Sequence, residues 1–172
     1  SITDGQIFLE TNLFHSGVKP AINPGISVSR VGGAAQVKAY KKIAGQMRLN
    51  LAQFRELKAF AQFGSDLDPA TQRQLNRGER LVEVLKQDQY SPMTVQDQIL
   101  IIFAANHGFL DEIPLDQVRK YEKQLINYMH IHHPNILKDL DSREKLANAL
   151  WEKLNSQIAE FHETFVGMKE EE

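Results

Sequence analysis

The sequence predicts a mainly α chain: a helical bundle from Ala34 onward, preceded by the last strands of an incomplete sheet-bearing domain. Two observations carry this. From Tyr40 on, apolar residues recur at threes and fours, the period of an amphipathic helix, whereas strand-like alternation is confined to residues 1 to about 33. Size agrees: 172 residues, 42% apolar and 24% charged, make one ordinary domain or a domain plus a piece of another. A compact chain of this length buries roughly 70% of its unfolded surface, enough for a core without staples.

Gln6-Ile7-Phe8-Leu9, flanked by Asp4-Gly5, reads as one short strand. Gly25-Ile26-Ser27-Val28-Ser29-Arg30-Val31, which alternates strictly at first, reads as a second. The turn formers Gly17, Pro20, Asn23 and Pro24 lie between them. Two short strands make no stable sheet in water, so the segment is expected to be the edge of a larger domain. A first long helix then carries Tyr40, Ile43, Met47, Leu51, Phe54 and Leu57, weakened at Gly45 and stopped at Phe63-Gly64-Ser65-Asp66. Asp68-Pro69 starts a second helix, as N-cap and first helical residue, running towards Leu85. A third carries Val95, Ile99, Ile102 and Phe103 and ends near Gly108. Pro114 opens a fourth with Leu115, Val118, Tyr121, Leu125 and Met129, stopped by Pro134. Asp141, assisted by Glu144, caps a fifth whose stripe is Leu146, Leu150, Leu154, Ile158, Phe161 and Phe165.

Composition narrows the chemistry. Twenty basic against 22 acidic residues give a formal net charge of −2, which argues against a general nucleic-acid binder. Without cysteine there is no disulfide framework, thiolate nucleophile or Cys-based metal site. No apolar run approaches the ~18 residues of a membrane span. The chain opens at Ser1 without a methionine and is expected to be a processed, split or truncated product.

Three kinds of site are open to these residues. His130 and His133, with His132 between, have an i, i+3 spacing open to a metal, but only Asp139 and Asp141 are near in sequence; a polar helix end before Pro134 is the favoured reading. No P-loop is present, and Gly32-Gly33-Ala34-Ala35, between strand and helix, is either a weak anion cradle or a turning device. Ser27, Ser29 and Ser65 form no G-x-S-x-G nucleophile elbow. Arg30, at a strand end before glycines, is an outward-reaching guanidinium or an ordinary surface arginine; Asp66 and Asp68 read as loop solvation and a helix cap.

Longer stretches carry a resemblance. Ser1-Ile2-Thr3-Asp4-Gly5-Gln6-Ile7-Phe8-Leu9 is similar to the closing part of the nucleotide-binding domain in alpha subunits of F-type, proton-translocating ATP synthases. Pro20-Ala21-Ile22-Asn23 and the run from Gly25 to Gln36 resemble the alpha signature, which beta subunits do not share. The runs Phe60 to Asp68 and Leu85 to Pro92 resemble the family's helical C-terminal domain. The resemblance covers the whole chain, strongly to about Leu110. It implies two parts, residues 1–33 as the C-terminal edge of an α/β nucleotide-binding domain and 34–172 as the helical domain.

The resemblance also implies roles. Arg30 would be an arginine finger reaching into a neighbouring beta-subunit site, with Ser1 offering a hydroxyl near the phosphate, Gly5 allowing close backbone approach and Ser27 packing the interface. Phe14, Lys19, Pro20, Gln87 and Gln89 would surround the adenine of a nucleotide that alpha binds but does not turn over. ATP or ADP with Mg2+ would be the cofactor, its phosphate and metal ligands outside this chain. The implied partners are the beta subunit, the gamma shaft, approached by the loop Gly64 to Asp68 with Asp66, and the remainder of alpha. Neither nucleic acid nor membrane insertion is expected. The implied location is peripheral to an energy-coupling membrane, first the cytoplasmic face of a bacterial plasma membrane, otherwise the matrix side of the mitochondrial inner membrane or the thylakoid. Lys19 stands where the family usually has Arg, and Pro24 where Val is frequent. A helical interaction module without nucleotide function is the alternative.

Overall fold

The computed structural model describes residues 2–61, 67–141 and 148–170. Two short helices, α1 (Thr11–His15) and α2 (Arg30–Ala35), precede α3 (Lys38–Ala61), α4 (Pro69–Val84) and α5 (Val95–Asn106). After a 3-10 turn at Leu115–Gln117 come α6 (Val118–His132), α7 (Pro134–Leu140) and α8 (Asn148–Glu170). The bundle is built around α5, on which Ile99 to Ala105 are all buried. An all-round apolar helix must be enclosed, and α3, α4, α6 and α7 pack against it. The outer helices are amphipathic instead: α3 turns Ala39, Ile43, Met47, Leu51 and Phe54 inward. On α8, Leu154, Ile158, Phe161 and Phe165 face in, with the fully buried Tyr121 of α6 edge-on to both phenylalanines at 5.1 and 4.9 Å.

Local chemistry sets the ends. Asp68 Oδ1 accepts from the N–H groups of Ala70 and Thr71, capping α4 as expected. Thr94 caps α5 through Asp97 N–H. Pro134 both stops α6 and opens α7 as a first-turn proline. The helix α7 is not among the expected elements, because Pro134 by itself reads only as a stop. Asp141, expected to cap the last helix, is where α7 ends, its N–H donating to the Lys138 carbonyl. Glu144 and Leu146, and the Phe63 to Asp66 stop, lie outside the described residues.

The two expected strands are corrected: among the described residues there is no strand, only an antiparallel bridge between Leu9 and Ile22. The segments do lie side by side, Asn23 N–H donating to Phe8 C=O and Val28 N–H to Gln6 C=O, both at 2.9 Å. A ladder fails because Phe8 N–H donates to the Ser27 hydroxyl and because Ser29 caps α2, so that Arg30 and Val31 are helical. The glycine cradle is corrected with it. Gly32 and Gly33 sit inside α2, their N–H groups donating to the Ser29 hydroxyl and carbonyl. The long helix expected from Ala34 begins at Lys38, after an extended Gln36.

One glycine fixes a packing distance. A Cβ on the buried Gly78 of α4 would stand 2.2 Å from Phe54 Cγ on α3. Gly78→Val is therefore expected to lower unfolding free energy by at least about 2 kcal/mol through overpacking. Urea unfolding checks this, and an unchanged midpoint would show that α3 and α4 separate freely.

Candidate functional site

Residues 3–5 cross residues 27–31, and the crossing is tied by short polar contacts. Asp4 accepts from the Ser29 hydroxyl at 2.6 Å and from Val31 N–H at 2.6 Å. Its backbone carbonyl accepts Arg30 N–H at 3.1 Å. The same Ser29 oxygen accepts Gly32 N–H, so one hydroxyl links the first turn of α2 to the Asp4 carboxylate. These bonds, the Ser29 hydroxyl foremost, hold the Asp4 carboxyl below its ordinary range. Gly5 completes the crossing with φ +141°; a Cβ there would stand 2.0 Å from the Val28 carbonyl oxygen. Ser27 is half-buried, its hydroxyl accepting Phe8 N–H at 3.0 Å.

Arg30 is thereby placed at the first position of α2, exposed, with one side-chain hydrogen bond: Nη2 donates to Thr3 C=O at 2.9 Å. The remaining guanidinium N–H groups have no partner among the described residues. Of the residues expected at this site, the structure brings Arg30, Gly5 and Ser27 into one knot; Ser1 lies outside the described residues. Asp4 and Ser29 were missed. Ser29 carried a signal, a serine three residues before Gly32 at the start of a helix, that was hidden by assigning the segment to a strand.

A second cluster joins residues far apart in sequence. Lys19 Nζ stands 4.6 Å above the half-exposed Phe14 ring. The Lys19 carbonyl accepts Gln87 N–H at 2.9 Å, and the Gln87 side-chain amide donates to Ser91 C=O at 2.7 Å. Lys19 and Pro20 are joined by a cis peptide. Pro20 lines a mainly apolar cleft of about 580 Å³ with Leu51, Phe54, Val82 and Lys86. Gln89 follows in the same exposed loop, next to Tyr90 at φ 60°. Phe14, Lys19, Pro20 and Gln87 thus share one edge of the molecule, presenting an aromatic face, a cation and an amide.

The chain matches the family described as ATP synthase alpha/beta chain, C terminal domain, over residues 36–161. This chain belongs to that family. It is 56% identical over 166 residues to the ATP synthase subunit alpha of Aquifex aeolicus (strain VF5), covering 96% of this chain and 33% of that protein. To the ATP synthase subunit alpha of Lawsonia intracellularis (strain PHE/MN1-00) it is 54% identical over 168 residues, covering 98% and 33%. The chain therefore corresponds to the C-terminal part of an alpha subunit and spans about one third of the length of these relatives. Residues 27–31 of the crossing precede the residues of the family match yet lie within the span of the similarity to alpha subunits.

Within this ATP synthase alpha segment the histidines divide. His130 Nε2 lies 2.7 Å from Asp97 Oδ1, whose other oxygen accepts the Thr94 hydroxyl at 2.7 Å. His132 and His133 lie against the Tyr128 ring, His133 Nε2 also 3.4 Å from its hydroxyl. His132 and His133 thus share Tyr128, their rings 6.3 Å apart, while His130 turns to Asp97. Among the described residues no helix is long and apolar enough to cross a membrane.

Proposed function

We propose that this chain works as the C-terminal part of a noncatalytic, regulatory alpha subunit in an F-type ATP synthase. In this reading Arg30 is an arginine finger acting on a nucleotide site of an adjacent beta subunit. The observation that carries it is the placement of Arg30: backbone locked by Asp4, side chain exposed, most of its donors unused. A planar, permanently charged fork suits the charge that spreads over a transferring phosphoryl group. Ser27 holds Phe8 beside the finger, Gly5 lets the backbones cross, and Ser1 is assigned a hydrogen bond to phosphate. The test is substitution of Arg30 in the assembled particle, read as multisite ATP hydrolysis. A chain working only as a helical interaction module would leave hydrolysis unmoved while still supporting assembly.

The same reading makes residues 1–33 the edge of the nucleotide-binding domain and 34–172 the helical domain that faces the gamma shaft, with Asp66, outside the described residues, on the side of the shaft. It places the particle at an energy-coupling membrane, on the cytoplasmic face in a bacterium. ATP or ADP with Mg2+ would supply the phosphoryl chemistry, its phosphate and metal ligands coming from outside these 172 residues. The donor set fits a purine rather than a phosphate: Phe14 and Pro20 for the ring faces, Gln87 and Gln89 for ring nitrogens, Lys19 for cation–π contact. Replacing Gln87 and Gln89 together with Ala is expected to weaken the retained nucleotide about tenfold or more, two hydrogen bonds at ~1 kcal/mol each. Nucleotide content after gel filtration of the assembled particle checks this; unchanged occupancy would place the base elsewhere.

A further inference from the structure

We propose that the outward face of α3 is a docking surface for an acidic helix of a neighbouring chain. In a chain of net charge −2, this one helix carries six basic residues and a single acidic one, Glu56. Lys38, Lys41, Lys42, Arg48, Arg55 and Lys58 are all exposed, and none makes an ion pair with a carboxylate of the described residues. Three carboxylates line the same cleft as Arg55 and Lys58, but Glu79 and Glu83 pair with Arg80 and Lys86, and Glu10 accepts from the Asn23 side-chain amide. Lys41 donates to the Ala34 carbonyl, and Lys42 and Lys58 stand over the Trp151 and Phe54 rings.

The spacing says what kind of partner fits. Lys41, Arg48 and Arg55 recur every seventh residue, and so do Gly45, Ala52 and Ala59 beside them. Seven residues are close to two helical turns, so each set forms a nearly straight row. The result is a rail of three cations, about 21 Å long, along a strip without side-chain bulk. Gly45 is the telling member. It weakens the helix, and a Cβ there would meet nothing within 4 Å, so no packing among the described residues requires it. A glycine kept at an exposed helix interior makes sense where another backbone comes close. Exposed Leu49 and Phe60 add apolar contact on the flank opposite the rail. A second helix can settle on the strip at about 8–10 Å between axes and set carboxylates against the rail. A bilayer or a nucleic acid has no use for the strip.

The surface stands on α3 alone, so its test does not depend on the finger. The native assembled particle carrying this chain is treated with a carbodiimide, which joins amines directly to carboxylates. Lys41 is expected to link to Asp or Glu of one segment of another chain, with acidic residues recurring at helical spacing. Gly45→Leu, which leaves the buried face of α3 untouched, is expected to lower the yield of that link at least about tenfold, and Arg48→Glu with Arg55→Glu to do the same. Links elsewhere in the particle should persist. Three results would overturn the proposal: linkage of Lys41 only within its own chain, no link at Lys41 where other interchain links form, or a yield that survives all three substitutions. Binding of the particle to phosphatidylglycerol vesicles that Arg48→Glu abolishes would assign the face to a lipid surface and overturn it equally.

Discussion

Arg30→Lys is expected to lower multisite ATP hydrolysis of the assembled particle by about three to five orders of magnitude, the range arginine fingers supply elsewhere. The argument rests on what the substitution leaves alone. The backbone of residue 30 is held by its N–H on the Asp4 carbonyl and by the Ser29 cap on α2, neither of which involves the side chain. Lysine keeps the positive charge and is tolerated in a first helical turn. What it loses is the planar fork, so the bidentate grip on a developing phosphoryl charge goes while the fold and the net charge stay. Among the described residues only the Nη2 bond to Thr3 C=O is at stake, so assembly should be intact. Hydrolysis near the wild-type rate in a fully assembled particle would sink the finger. A loss of assembly equal to the loss of rate would instead make Arg30 an interface residue.

The helical body was legible because its physics is local and periodic. Ile43, Met47, Leu51 and Phe54, or Leu154, Ile158, Phe161 and Phe165, announce a buried stripe without knowledge of any partner, and all are buried. Caps were legible for the same reason, as at Asp68. The misreadings arise where a residue serves two neighbours. Pro134 ends one helix and begins another, and the ending hid the beginning. Ser29 looks like the polar half of an alternating strand, but its hydroxyl caps α2 while donating to a carboxylate twenty-five residues away. Alternation cannot reveal that, because the deciding contact is non-local.

The candidate site was legible in its residue types and not in its scaffold. An arginine beside glycines is visible in the sequence; what aims it is not. Asp4 reads as part of a turn, and only the crossing shows it accepting the Ser29 hydroxyl and Val31 N–H at once. The cluster of Phe14, Lys19, Pro20 and Gln87 was similar. Phe14 and Gln87 are meaningless to each other by spacing, and they meet because Gln87 N–H donates to the Lys19 carbonyl. The resemblance to alpha subunits supplied the association; the geometry supplies a physical reason for part of it.

Gly5→Ala carries the second large expected effect, and it acts on Arg30 without touching it. At φ +141° an alanine is strained whatever the space, and here its Cβ would also stand 2.0 Å from a backbone oxygen, that of Val28, which no side-chain rotation relieves. The backbones must part, and with them the bonds from Arg30 N–H and Val31 N–H to Asp4. Those bonds are present at neutral pH. A carboxyl whose value is lowered on folding lends stability above its ordinary pKa and loses it only as pH falls through the lowered value, so the wild-type knot is loosened only in acid. Gly5→Ala is thus expected to open it at pH 7, reducing hydrolysis at least about a hundredfold, since ~1 Å of misplacement costs that much. Amide exchange at Val28, Arg30 and Val31 should rise, while protection in α5 stays at the wild-type level, because that core lies in the bundle and not in the crossing. Exchange unchanged at all three amides would show that the crossing does not position the finger. Raised exchange with full hydrolysis would show that Arg30 needs no such support.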